Sequence, residues 1–296
     1  MAQVAIVITV LNEIENIDGL LSALQSQTLK PREIVIVDGG SVDGTWEKLQ
    51  QLRPVKSYLC KGNRSQGRNF GVSKTSSPII AFTDAGCLPH PNWLAELIKP
   101  LAKKEWQVVS GYYQGVPKTV FEACLVPYVL VTPDRIPDQF LPSSRSMAMR
   151  RGIWNKSGGF NPKVDPSEDF ELANRLQKMG IHFFFARDAV VDWRPRKNLQ
   201  QAAWMFLSFA IGDIHAGILR PKVKLLAIRY YLFCFLVFIT PWTWVVVGPY
   251  LVWAIAKNYK YVKKWQAMFW LPILQVTADI MVLFGTVVGL LSKQKS

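Results

Sequence analysis

The sequence predicts an α/β fold, a mixed and mostly parallel sheet with flanking helices, followed by C-terminal membrane helices. Three patterns carry that prediction. The N-terminal third alternates short β-branched runs with stretches whose apolar residues recur at helical spacing. Bare carboxylates, Asp38 and Asp84, stand directly after two of the apolar runs. The last part of the chain holds two segments almost free of charge, residues 230–256 and 267–291, each longer than the roughly 20 apolar residues a span requires.

Residues 4–10 (VAIVITV) are β-branched and read as the first strand. Ile14, Ile17, Leu20, Leu21 and Leu24 then follow at helical spacing, with Asn12 as the expected cap. Residues 33–37 (EIVIV) form the next strand, and DGGSVDGT is a turn in which Asp43 caps the short helix 45–52. A helix over 64–74 precedes the strand 79–82, and residues 92–101 are helical again. In such sheets ligands sit beyond the carboxyl ends of the strands. Asp38 and Asp84 share that rim, as a nucleotide pocket requires.

The middle of the chain is less regular, with Pro133, Pro137 and Pro142 in its connections. A strand is expected over 146–149, a turn at Gly158-Gly159-Phe160, a helix over 169–179 and a long helix over 198–219.

The formal charge of +14 is uneven: beyond His215 stand ten Lys and Arg against a single acid, Asp279. This positive charge flanks apolar runs, which points to anionic headgroups. Nucleic acid is not an expected partner, because residues 1–215 hold only +5 and no basic stripe. Cys60, Cys87, Cys124 and Cys234 match no metal or redox spacing and are expected to be reduced and mostly buried. The N-terminus has no basic region before its apolar run, so it reads as a strand rather than a signal peptide, and the first domain is expected in the cytoplasm.

The expected domains are a catalytic domain over 1–200, an amphipathic linker helix over 201–229 and a membrane region over 230–296. Two straight spans would place Lys257, Lys260, Lys263 and Lys264 on the far side, against the positive-inside tendency. Pro241 and Pro249 interrupt the first apolar segment, so multi-pass and re-entrant topologies both stand.

Several residues carry chemistry. Asp38 can cap its turn or accept the imino hydrogen of a base. Arg64 and Arg68, four apart, share a helix face near the rim and suit phosphate or base contact. A carboxylate after an apolar strand costs free energy unless it is paired, solvated or used; a ribose hydroxyl or a diphosphate-bound cation would use Asp84. Glu168-Asp169 opens a helix, where acids complement the dipole, and can also act as a general base. His90, His182 and His215 have no ligand-set spacing. Asp213 and His215 could face an acceptor, and Asp279 within an apolar segment is a functional candidate by default.

Strand-LNE, VDGGSVDGT, GRNFG, AFTDAGCLP, the GGF turn and SEDFELANRL occur in the order found in glycosyltransferase family 2, and together the chain resembles that family over about residues 1–200. SSRSMAMRRGIW, DAGC and WRPR resemble a membrane-anchored branch. The resemblance implies a GT-A (Rossmann-like) fold, an inverting mechanism and a nucleotide-sugar donor. It places Asn12 and Glu13 in the first nucleotide loop, Asp38 and Arg68 at the base, Asp84 at the ribose and diphosphate, and Asp169 as catalytic base with Glu168 beside it. Family members carry further acids where this chain has Gly39 and Gly86, and a later histidine where it has Asp192-Trp193-Arg194-Pro195-Arg196. These departures put a Mg2+ or Mn2+ at Asp84 in question and suggest that Arg194 or Arg196 provides positive charge for the leaving diphosphate. The anchor suggests a lipid or lipid-linked acceptor at the cytoplasmic membrane face. A catalytically silent nucleotide-sugar-binding membrane scaffold is the alternative.

Overall fold

A computed structural model describes residues 2–52, 55–137, 140–240 and 245–293. The chain forms two compact units, Met1–Gln114 with Pro133–Arg194, and Gly115–Thr132 with Pro195–Ser296.

The first unit begins with β1 (Ala2–Val10), α1 (Ile17–Gln25), β2 (Pro31–Asp38), α2 (Thr45–Gln50), β3 (Lys56–Leu59) and α3 (Arg64–Ser73). It continues with β4 (Ile79–Phe82), β5 (Cys87–Pro89), α4 (Trp93–Ile98) and β6 (Val108–Gly115). After α5 (Val120–Val129), which belongs to the second unit, come β7 (Met147–Arg150), α6 (Arg151–Ser157), α7 (Glu168–Lys178) and β8 (Phe183–Trp193). Among the described residues eight strands form one sheet, in the order β3-β2-β1-β4-β7-β6-β8-β5. The pairings from β3 to β4 are parallel, whereas β4–β7, β7–β6 and β8–β5 are antiparallel. Crossover helices keep the first half parallel, and the sheet is mixed beyond it.

Val4 to Ile8 of β1 are wholly buried, so its apolar run is continuous rather than alternating, as a strand covered on both faces requires. Val10 of β1 pairs with Asp38, and Phe82 ends β4 two residues before Asp84, so both carboxylates reach the carboxyl rim. Phe82 packs against Trp154 and Phe160 at ring-centroid distances of 5.4 and 5.5 Å. Gly71 lets α3 lie close on β1, since a Cβ there would come within 2.6 Å of Val7 Cγ1.

Two local expectations are corrected. Asn12 caps nothing: it adopts φ 55° in the β1–α1 loop, and α1 starts at Ile17 behind Asn16. Helix 92–101 divides into α4 and a 3-10 turn, Lys99–Ala102, where Pro100 lacks the N–H needed to continue.

The second unit holds α5 with α8 (Leu199–His215), α9 (Pro221–Ile239), α10 (Val247–Val262) and α11 (Ala267–Lys293). The expected linker 201–229 therefore falls on two helices, divided at Gly217 with φ 74°. Asn198 caps α8 by accepting from Gln201 N at 2.9 Å. Segment 230–256 likewise falls on α9 and α10. Pro241 lies outside the described residues, and Pro249 does not interrupt a helix but sits in the first turn of α10, where its missing N–H leaves nothing unpaired. Gly285 and Gly289 of α11 face α8, where added Cβ atoms would come 2.6 Å from Leu207 O and 2.9 Å from Ile214 Cβ. Among the described residues α11 is the one helix long and apolar enough to cross a membrane, with mean hydropathy 1.9 in its most apolar stretch. Asp279 on α11 is buried and accepts from Arg229, Tyr230, Tyr250 and Gln275, which makes it a satisfied joint between helices. Asp213 pairs with Arg220, and His215 bonds Ser292 at 2.8 Å, so both are tied into the helix packing. All four cysteines are free, but Cys234 is exposed and Cys60 half-buried, contrary to expectation.

Candidate active site

Two loops at the rim are knitted together by short polar side chains. Asn12 N donates to Ser41 Oγ at 2.8 Å, and Asn12 Oδ1 accepts from Val42 N at 2.9 Å. Glu13 N donates to Thr45 Oγ1 at 2.9 Å, and Ile14 N to Asp43 Oδ2 at 3.1 Å. LNE and VDGGSVDGT are thus one bonded platform. Asp38 is wholly buried within it. Its Oδ1 accepts from Gly40 N and Ser41 N, both at 2.7 Å, while its buried Oδ2 takes no partner among the described residues. A buried carboxylate oxygen left open in this way is costly unless a ligand donor completes it.

Behind the rim lies an ion cluster. The capping box of Asn63 and Gln66 starts α3 and aims Arg68 inward. Asn69 pins the helix to the GGF turn, donating to Phe160 O at 2.8 Å and accepting from Phe160 N at 2.9 Å. Only glycine fits at Gly159, where φ is +73° and a Cβ would come 2.8 Å from Asn69 Oδ1. Arg68 is 1% exposed. Its Nη1 donates to Glu168 Oε1 and its Nη2 to Asp84 Oδ1, the latter at 2.7 Å. Burial works against the guanidinium charge, but Glu168 and Asp84 outweigh it and hold Arg68 firmly protonated. Burial likewise pushes Asp84 up, yet Arg68, Arg145 and Arg64 together hold its carboxyl below the usual range. Glu168 shifts the other way: burial raises it and neighbouring Asp169 adds to this, against the pull of Arg68.

Arg68, expected at the base, thus bonds two carboxylates, and Glu168, expected beside the catalytic base, is its buried partner and positions α7. Asp169, one residue on, is half-buried and points differently. Its Oδ2 accepts from Ser143 Oγ at 2.6 Å and Ser144 N at 3.3 Å, and its Oδ1 from Phe170 N at 2.8 Å.

Arg194 is exposed, and its Nη1 donates to Asn16 Oδ1 at 2.8 Å; Asn16 in turn donates to Glu13 at 2.7 Å. Arg196 is exposed at the start of the second unit. His90 Nε2 bonds Asp192 Oδ1 at 2.9 Å, a pairing that sequence spacing could not reveal. The sequence reading also missed Ser143, Ser144 and Arg145. The signal was present in SSRSMAMRRGIW, a polar run entering a buried strand.

Among the described residues no three His, Cys, Asp or Glu side chains gather as a metal set. A Cβ on Gly86 would meet open space, and one on Gly39 only ordinary contacts at 3.5 Å, so neither glycine is forced by crowding. Asp84 is about a third exposed, at 32%, with one oxygen on Arg68. That suits a Mg2+ or Mn2+ arriving with a diphosphate, which needs one carboxylate and phosphate oxygens, rather than a preformed centre.

Residues 5–123 match the glycosyl transferase family 2 model. Glycosyltransferase AglE of Haloferax volcanii is 35% identical over 116 residues, 36% of this chain and 38% of that relative. An uncharacterized glycosyltransferase of Haemophilus influenzae is 25% identical over 116 residues, 37% of this chain and 36% of its own. The matched stretch thus spans less than two fifths of these relatives. Among solved structures, the mannosyltransferase PcManGT from Pyrobaculum calidifontis, in complex with GDP-Man and Mn2+, aligns with a TM-score of 0.60 at 20% identity, over 95% of this chain and 87% of that one. Glucosyl-3-phosphoglycerate synthase from Mycobacterium tuberculosis, with Mn2+, UDP-glucose and phosphoglyceric acid, aligns with a TM-score of 0.51 at 19% identity, over 74% of this chain and 81% of that one. The motifs and the mixed sheet agree with these matches: residues 5–123 match glycosyl transferase family 2, and the chain has the GT-A fold of the solved structures it resembles.

Proposed function

We propose that this protein is an inverting glycosyltransferase that moves a sugar from a nucleotide diphosphate donor to a lipid or lipid-linked acceptor at the cytoplasmic membrane face. One observation carries the reading: Arg68 ties Asp84, at the end of β4, to Glu168, at the start of α7, and so holds Asp169 in register with the donor rim. Asp38 Oδ2 accepts from the base, Asn12 and Glu13 shape the platform beneath it, and Asp84 faces the ribose and diphosphate. Asp169 takes the proton of the acceptor hydroxyl as it attacks the anomeric carbon opposite the leaving diphosphate. Ser143 and Ser144 orient that carboxylate. A divalent ion would be held by Asp84 together with the diphosphate and would neutralise charge there.

The membrane assignment is supported by α11 and by α9, which has no buried residue and exposes Tyr231, Phe235, Phe238 and Ile239 at 70, 53, 91 and 62%. A site held against a bilayer favours acceptors dissolved in it.

The test is nucleoside diphosphate release by the full chain in lipid, across a panel of sugar nucleotides with a lipid extract as acceptor. Asp169→Asn is expected to lower turnover by about 10²–10⁴-fold while donor binding persists. Donor binding by the unaltered chain without release under any condition would favour the scaffold reading instead.

A further inference from the structure

Arg145 has no role in the reading above, and its surroundings are unusual for a cation. It stands between Ser144, whose N–H bonds Asp169, and Ser146, whose hydroxyl accepts from Trp93 Nε1 at 2.9 Å. The loop is therefore fixed at both ends. The Arg145 guanidinium lies over Tyr113 at 5.4 Å and over Trp193 at 5.8 Å. Trp193 pairs across the sheet with Cys87, whose N–H bonds Asp84 O at 3.0 Å. Two aromatic faces thus hold one half-buried cation in the space shared by Asp84 and Asp169. Among the described residues the guanidinium takes no hydrogen bond and no ion pair, in contrast to Arg68, which holds two carboxylates. Stacking orders the plane of an arginine while leaving its N–H fork available to an anion.

We propose that Arg145 is the diphosphate clamp of this site, donating its free N–H groups to the donor's phosphate oxygens and countering the charge that grows on the leaving group. The proposal rests on the nucleotide-sugar reading and replaces Arg194 and Arg196 in that role, since Arg194 is exposed and engaged with Asn16. Two of the electrostatic influences fit: Arg145 is the second-strongest cation lowering Asp84, and Asp84 and Asp169 both favour the charged form of Arg145. An anion bound there would sit beside Asp84, where Gly86 adds no second negative charge. The absence of an acid at Gly86 and the presence of a poised guanidinium then have one cause.

The experiment compares full chain and Arg145→Gln, Arg145→Lys in detergent, titrated with UDP, GDP, uridine and guanosine, each with Mg2+ and with chelator. Thermal unfolding verifies that each variant is folded. For whichever nucleoside diphosphate binds, Arg145→Gln is expected to weaken it about tenfold to a hundredfold, with the matching nucleoside changed by less than about twofold. Arg145→Lys should recover part of the loss, because it restores charge but not the fork. The effect should be larger in chelator than in Mg2+, since both cations serve the same phosphates. Equal loss for nucleoside and diphosphate would mean a merely structural role and overturn the clamp; unchanged diphosphate affinity in Arg145→Gln would overturn it too. If the unaltered chain bound none of the four, the nucleotide-sugar reading itself would fall with it.

Discussion

Arg68 on α3 and Glu168 on α7 are a hundred residues apart in sequence and meet as an ion pair whose side chains are 2% and 4% exposed. Through the other guanidinium nitrogen the same arginine holds Asp84. One buried cation therefore connects the carboxyl rim of the sheet to the helix that carries Asp169.

Removing one partner leaves an uncompensated buried charge. Glu168→Ala is expected to destabilise the protein by about 3–5 kcal/mol, read from unfolding of the full chain in urea. Glu168→Gln keeps the shape and should lose less stability. If Glu168→Gln nevertheless retained full stability and full turnover, the positioning role given to Glu168 would be wrong.

Glu33 is expected to make stability depend on acid pH. Glu33 on β2 accepts from Ser76 N, Ser77 N and Ser77 Oγ at 3.0, 3.1 and 2.8 Å. Burial would raise its carboxyl, but the Ser77 hydroxyl, the Ser76 N–H and Lys56 outweigh it and bring it down to about 2. A carboxylate lowered on folding contributes stability above its unfolded value, and that contribution is lost as pH falls from about 4.5 toward 2. The lowering corresponds to about 3 kcal/mol at neutral pH. Glu33→Gln should therefore lose up to that amount at pH 7 and show a flatter stability profile between pH 4.5 and 2. An unchanged profile in unfolding titrations would exclude Glu33 as the source.

Gly86→Asp tests what a second carboxylate beside Asp84 would do. The Cβ enters open space and Gly86 does not adopt a positive φ, so folding should change by less than about 1 kcal/mol. A second carboxylate two residues from Asp84 should tighten Mn2+ binding in the presence of nucleoside diphosphate, measured calorimetrically. It should also weaken nucleotide binding in chelator, because it adds negative charge beside the phosphates. Gains in both conditions would contradict this electrostatic account.

The elements most legible in sequence are those whose signal is local. The β-branched run at residues 4–10, the apolar spacing of Leu20, Leu21 and Leu24, and the apolar run of α11 each follow from a single stretch of chain. Asp38 and Asp84 could be located because a strand end is a local event with one geometric meaning in a parallel sheet. Pro249 misled because proline interrupts a helix interior but is accommodated in a first turn, and only the position of the turn distinguishes them. The different fates of Glu168 and Asp169 were likewise invisible: adjacent helix residues point about 100° apart, and the partner that separates them, Arg68, comes from another helix. Residue type and local period thus determined the strands of the parallel half of the sheet and its rim, and the order of the motifs carried the resemblance to glycosyltransferase family 2. Which charge is buried and paired, which carboxylate oxygen takes no partner, and that Arg145 lies over Tyr113 and Trp193 while Arg194 bonds Asn16 were decided by tertiary packing, because Coulomb attraction and desolvation depend on distances that a linear order does not contain.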